Sequence, residues 1–241
     1  MEMQLEMLRT IISRYGATSV AAGQFFVSWN SVVTLAYTGF SRTLLAIKRG
    51  VQEGITGLQP ENPGSRWPKT TLGCLREGVE LSEDQVYSLR DICVQQSTDI
   101  QNLSESDRSM DINKLCCVTF HCRTLERRLA TQVIQLEGRS TIDDSPPQSH
   151  LDVVGETMAQ FSESEHANYY PRLASQGRTI NTYYRTPRIE STLVYDLKPS
   201  AALADSIWSF CQAVDNALPG CYAWFDPNSW HMTVRALVSA N

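Results

Sequence analysis

Apolar positions along the chain recur at two spacings. In MEMQLEMLRTIISRYG, Leu5, Leu8, Ile11 and Ile12 keep helical spacing, which predicts an N-terminal helix and lead-in over residues 1–28. SVVTLAY (Ser31 to Tyr37) is rich in β-branched residues and predicts a strand. A helix follows, capped by Ser41 and striped by Leu44, Leu45, Ile47 and Val51. The proline- and glycine-bearing LQPENPGSRWP predicts a loop leading into a second strand, KTTLGCL (Lys69 to Leu75). Ser82, with Asp84 and Gln85 behind it, predicts a helix to about Gln96 with Val86, Leu89, Ile92 and Cys93 on one face. The polar run STDIQNLSESDRSMD predicts a loop, and KLCCVTFHC and ATQVIQLEG predict two further strands ending near Gly138. From Arg139 to about Arg178 the chain is polar around SPPQSH, which predicts a linker or insertion with one short helix near Met158 to Phe161. His150 and His166 fall there and are expected in solvent. Regular structure then resumes: a strand over Thr192–Leu197, a helix over Pro199–Leu218, and a strand over Trp230–Val238.

Two stretches of this pattern repeat. SVVTLAYTGF, a helix, a loop ending in Trp67 and KTTLGCL match STLVYDL, a helix, a loop ending in Trp230 and HMTVRAL. The β-α-β units are of nearly equal length, and Lys69 falls where His231 falls. The expected organisation is therefore a lead-in over 1–28, a first lobe over 29–138, a linker or insertion over 139–178 and a second lobe over 179–241.

Composition narrows the setting. With 241 residues and 42% hydrophobic side chains, the chain has ample material for a core. A net charge of −5 argues against a basic nucleic-acid coat, so any RNA contact is local. Seven cysteines without a C-x-x-C pair suit a reducing compartment, and no run approaches the roughly 18 apolar residues of a membrane span, so a cytoplasmic location is expected.

Candidate chemistry concentrates in WHMTVRAL. Strand alternation would set His231, Thr233 and Arg235 on one face: an imidazole, a hydroxyl and a guanidinium. The sister strand offers Lys69 and Thr71 at matching positions. His121 and Arg123 in VTFHCRTLERR give a further basic edge. The cluster YYPRLASQGRTINTYYRTPR suits stacking of unpaired bases, and equally suits packing over a sheet or a partner surface.

A strand bearing His-x-Thr after a β-α unit, with a sister strand in register, resembles the two-histidine (2H) phosphoesterases, which include RNA 2′,3′-cyclic phosphodiesterases and relatives of 2′-5′ RNA ligase. The resemblance implies an α+β fold of two pseudo-symmetric lobes whose small antiparallel sheets face a central groove. It also implies hydrolysis without metal or nucleotide cofactor, on a nucleotide or RNA end bearing a cyclic phosphate or 2′-5′ linkage. In that family two histidines divide the proton transfers and the threonines hold phosphate oxygens. By carry-over, His231 and Thr233 are catalytic, while Lys69, Thr71 and Arg235 hold phosphate.

Two features depart from the pattern. Lys69 stands in place of the first histidine, and a lysine at its ordinary pKa is charged and a poor base. The second unit also lacks the further strand pair that KLCCVTFHC and ATQVIQLEG supply to the first. The alternative is accordingly a degenerate 2H scaffold without catalysis, a binding or assembly subunit whose second sheet is completed by a protein partner or a second copy.

Overall fold

The structure, a computed structural model, describes residues 2–28, 31–58, 61, 65–140, 143–161 and 178–238. His166 and the first half of the aromatic–arginine cluster lie outside them. The fold is α+β, built on a curled antiparallel sheet.

The first helix, α1 (Glu2–Ile12), leads into β1 (Thr18–Val27), β2 (Val33–Tyr37), α2 (Arg42–Gly54) and β3 (Lys69–Leu75). Next come α3 (Glu83–Asn102), α4 (Glu105–Arg108), β4 (Ser109–Ile112), β5 (Lys114–Phe120), β6 (Arg128–Gln135) and α5 (Gln148–Ala159). A π-helical turn (Ile180–Tyr184), β7 (Glu190–Asp196), α6 (Ala201–Ala217), β8 (Tyr222–Trp224) and β9 (His231–Val238) complete the described chain. The expected caps form: Ser41 Oγ accepts from Leu44 N at 3.2 Å, and Ser82 and Gln85 make a reciprocal capping box.

The strands form one sheet in the order β4-β1-β2-β3-β9-β7-β5-β6, with β8 also on β3. β1 and β4 appear where a lead-in and a loop were expected. A register shift at Gly23 breaks the alternation of β1, and β4 has only four residues, too few for a periodic signal. β5, read from sequence as part of the first unit, pairs with β7, and β6 pairs with the other edge of β5. α5 is a three-turn helix where a short piece was expected. His150 on it is half-buried rather than solvated: Nδ1 accepts from Phe40 N at 3.3 Å and Nε2 meets Arg66 O at 3.0 Å.

Cross-strand register sorts the residues into rows. Phe25, Leu35, Thr70, Met232 and Tyr195 are successive partners across the sheet, and all are buried. This face carries the main core. Phe25 stacks on Phe210 of α6 at 3.9 Å, its amide donates to Ser97 of α3 at 2.9 Å, and the Tyr37 and Thr70 hydroxyls are 2.6 Å apart. The opposite face holds a small cluster of Cys116, Val118, Phe120, Leu125 and Val194, together with Phe161, which packs edge-on against Phe26.

β3 and β9 touch at Thr70–Met232, after which β8 takes over along Gly73–Leu75. Gly73 permits that approach, because a Cβ there would lie 2.8 Å from Ala223 O and the Trp224 ring. The two halves of the sheet therefore diverge from a single junction.

Candidate functional site at the β3–β9 junction

The residues one step along from the buried row point to the other face. With Thr70 opposite Met232 in an antiparallel pair, Thr71 falls beside His231 and Lys69 beside Thr233. All four side chains are half-buried, unlike the fully buried Thr70 and Met232 between them. Two rows thus cross this face, buried at Phe26, Thr34, Ala36 and Val194 and half-buried at the junction residues between them. One runs Phe26, Thr34, Thr71, His231, Asp196; the other runs Gln24, Ala36, Lys69, Thr233, Val194. Lys69 and His231 are diagonal neighbours, a relation that spaces Cβ atoms roughly 7–8 Å apart.

Arg235 does not join them. β9 has an extra residue at Val234, since Val194 pairs with Thr233 and Leu193 with Arg235. This bulge reverses the alternation and turns Arg235 toward α2, where it is 2% exposed and donates to Gln52 Oε1 at 2.5 Å. Lys48 of α2 fills the same region, donating to the bulge carbonyl Val234 O and to Ser65 O, each at 2.8 Å, and pairing with Glu61.

The His231 ring is oriented from behind. Nδ1 lies 2.8 Å from Ser229 O, a carbonyl that only accepts, so Nδ1 carries the proton and Nε2 keeps the lone pair. Burial pushes the imidazole below its ordinary value, against the raising effect of that hydrogen bond. Asp196, the cross-strand partner of His231, forms a bidentate pair with Arg128 at 2.6 and 3.0 Å. Burial opposes ionisation of Asp196, but the Arg128 hydrogen bonds prevail and hold its carboxyl below its usual range.

Lys69 is shifted as well. Its ammonium lies 4.0 Å above the centre of the Trp67 ring, and its pKa falls to about 7, chiefly by burial and then by the charges of Lys48 and Arg178. The sequence offered no cause for a lowered lysine pKa; burial of the amine between the tryptophan and the strands supplies one.

His121 and Arg123 lie in the turn after β5, outside both rows. The His121 backbone bonds Arg127 O and Arg188 N, while Arg123 pairs with Glu190 at 3.3 Å and stacks on Tyr183 at 4.5 Å. Arg178 covers the same ring at 4.1 Å, so this part of the aromatic–arginine cluster packs beside the face of the two rows. Sequence reasoning did not find Asp196 or Trp67 as contributors, and it placed Arg128 only in the basic edge of VTFHCRTLERR, not beside Asp196. Trp67 carried a signal, as the tryptophan that closes the loop of the first repeat where Trp230 closes that of the second. Among the described residues no group of three His, Cys, Asp or Glu is arranged to hold a metal, and no helix is long and apolar enough to cross a membrane. Comparison of the chain with protein-family models, curated proteins and solved structures finds no match.

Proposed function

We propose that the β3–β9 junction binds and hydrolyses a phosphodiester, with a 2′,3′-cyclic phosphate on a nucleotide or RNA end as the substrate class. The observation that carries this reading is the register that sets Lys69-x-Thr71 and His231-x-Thr233 side by side on one face. Strand order supports a two-lobed, 2H-like origin, because outward from the junction β3-β2-β1 mirrors β9-β7-β5. Two backbone bonds support it as well: Tyr37 N donates to Pro68 O just before Lys69, and Leu197 N donates to Trp230 O just before His231.

In this reading the phosphorus lies between the imidazole and the amine, with its non-bridging oxygens on Thr71 and Thr233. Neutral His231 takes a proton from water at Nε2 as the water oxygen bonds to phosphorus. The ring P–O bond breaks, and the Lys69 ammonium gives its proton to the departing ribose oxygen. An amine near neutrality suits that acid role, and burial with neighbouring charge is the cause. The degenerate-scaffold alternative drew on an unfinished second sheet, and β5 occupies that position on β7, with β6 on its other edge.

The test is turnover of 2′,3′-cyclic nucleotides and of a short RNA with that end. His231→Ala is expected to lower kcat by about 10²- to 10⁴-fold. Lys69→His is expected to retain turnover and Lys69→Ala to lose it. A parent chain that neither turns over nor binds these ligands would refute the reading.

A further inference from the structure

The row that carries Lys69 continues beneath α5. Its next members, Ala36 and Gln24, line a cavity of about 550 Å³ that Leu151, Val154 and Met158 of α5 cover. That volume is in the range of small-molecule sites, roughly 300–1,000 Å³. Gln101 and Arg108 complete its polar side. The Arg108 Nε atom is itself buried, with no hydrogen-bond partner among the described residues.

Gly155 gives an independent indication. It lies inside α5, where glycine is less favourable than alanine, yet among the described residues no atom comes within 4 Å of the Cβ it lacks. Packing does not demand a glycine there. Its consequence is room, because Gly155 is part of the cavity wall.

The wall chemistry selects the occupant. An apolar helix face lies across from two side-chain amides, each offering a donor and an acceptor, and from one guanidinium; among the described residues no carboxylate lines the space. A flat heterocycle with carbonyl, ring-nitrogen and amino groups on its edge matches that set. We propose that this cavity receives the nucleobase of the substrate whose phosphate lies over Lys69 and His231. The inference rests on the phosphate reading of the junction. Ala36 is one strand from Lys69, a spacing of roughly 5 Å, so the phosphate and base of one nucleotide bridge the two places.

The test compares two kinds of ligand that are not turned over: the adenosine 2′- and 3′-monophosphates, and a methyl ribofuranoside phosphate lacking the base. Binding to the full chain is measured by calorimetry for the parent, Gly155→Leu and Arg108→Gln, with thermal melts to establish that each variant is folded. Both variants are expected to weaken the adenosine ligands about tenfold or more and to leave the base-free phosphate unchanged. If folded variants bind the adenosine ligands as tightly as the parent does, the base site is refuted while the phosphate reading stands. A parent that binds both ligand types equally refutes it too. A parent that binds neither overturns both proposals.

Discussion

Lys69 shows how far burial alters the chemistry of one residue. Ordinarily a lysine is a fixed charge near pKa 10.4, able to attract phosphate but unsuited to proton transfer at neutral pH. Over Trp67, with Lys48 and Arg178 nearby, its pKa is brought down to about 7, while burial moves His231 below its ordinary value. The proposed roles fix the form of the pH profile. The base must be unprotonated, so kcat/KM falls as pH drops through the lowered His231 value. The acid must be protonated, so kcat/KM also falls as pH rises through about 7. A bell with its maximum below 7 is expected, and Lys69→His, which keeps turnover, should move its alkaline limb. Arg235 makes the opposite point, being buried against α2 and bonded to Gln52. Arg235→Met is expected to cost about 1–3 kcal/mol of stability in denaturant melts, through unmet buried polar groups, while ligand affinity is unchanged. Loss of phosphate affinity with unchanged stability would instead restore Arg235 to the site.

At the level of elements, the bulge at Val234 and the helix α5 shape the site. Without the extra residue, Arg235 would share a face with His231 and Thr233, as strict alternation predicts. Lys48 satisfies the carbonyl that the bulge frees, so α2 holds the distortion in place. On α5, His150 ties the helix to Phe40 and Arg66, and the helix in turn covers the end of β1 and β2. Because nothing described crowds Gly155, Gly155→Ala is expected to raise stability by about 1 kcal/mol, seen as a higher denaturant midpoint at unchanged slope. A destabilised Gly155→Ala would mean that the helix packs more closely there.

At the scale of the whole molecule, the two repeats share a sheet and a core. Leu72 of β3, Met232 of β9, Leu89 of α3 and Phe210 of α6 belong to one buried cluster. Unfolding is therefore expected as a single cooperative transition, with far-ultraviolet dichroism and tryptophan fluorescence coincident in urea. Trp67 reports from the first repeat and Trp230 from the second, so single-tryptophan variants with separate midpoints would show the halves to be independent.

By itself, the sequence determined the local elements whose signals are short in range: the capped helices α2 and α3 and the strands β2, β3 and β9. Those follow from spacing, caps and β-branched runs, which act over a few residues. Tertiary structure alone decided which strands complete which half of the sheet, because β5 has no local preference between β3 and β7. It also decided the face of Arg235, since a bulge depends on the partner strand as much as on its own residues. The environment of the Lys69 amine was decided in the same way: its pKa is lowered by burial and by the charges of Lys48 and Arg178, which the fold brings near it from two separate segments.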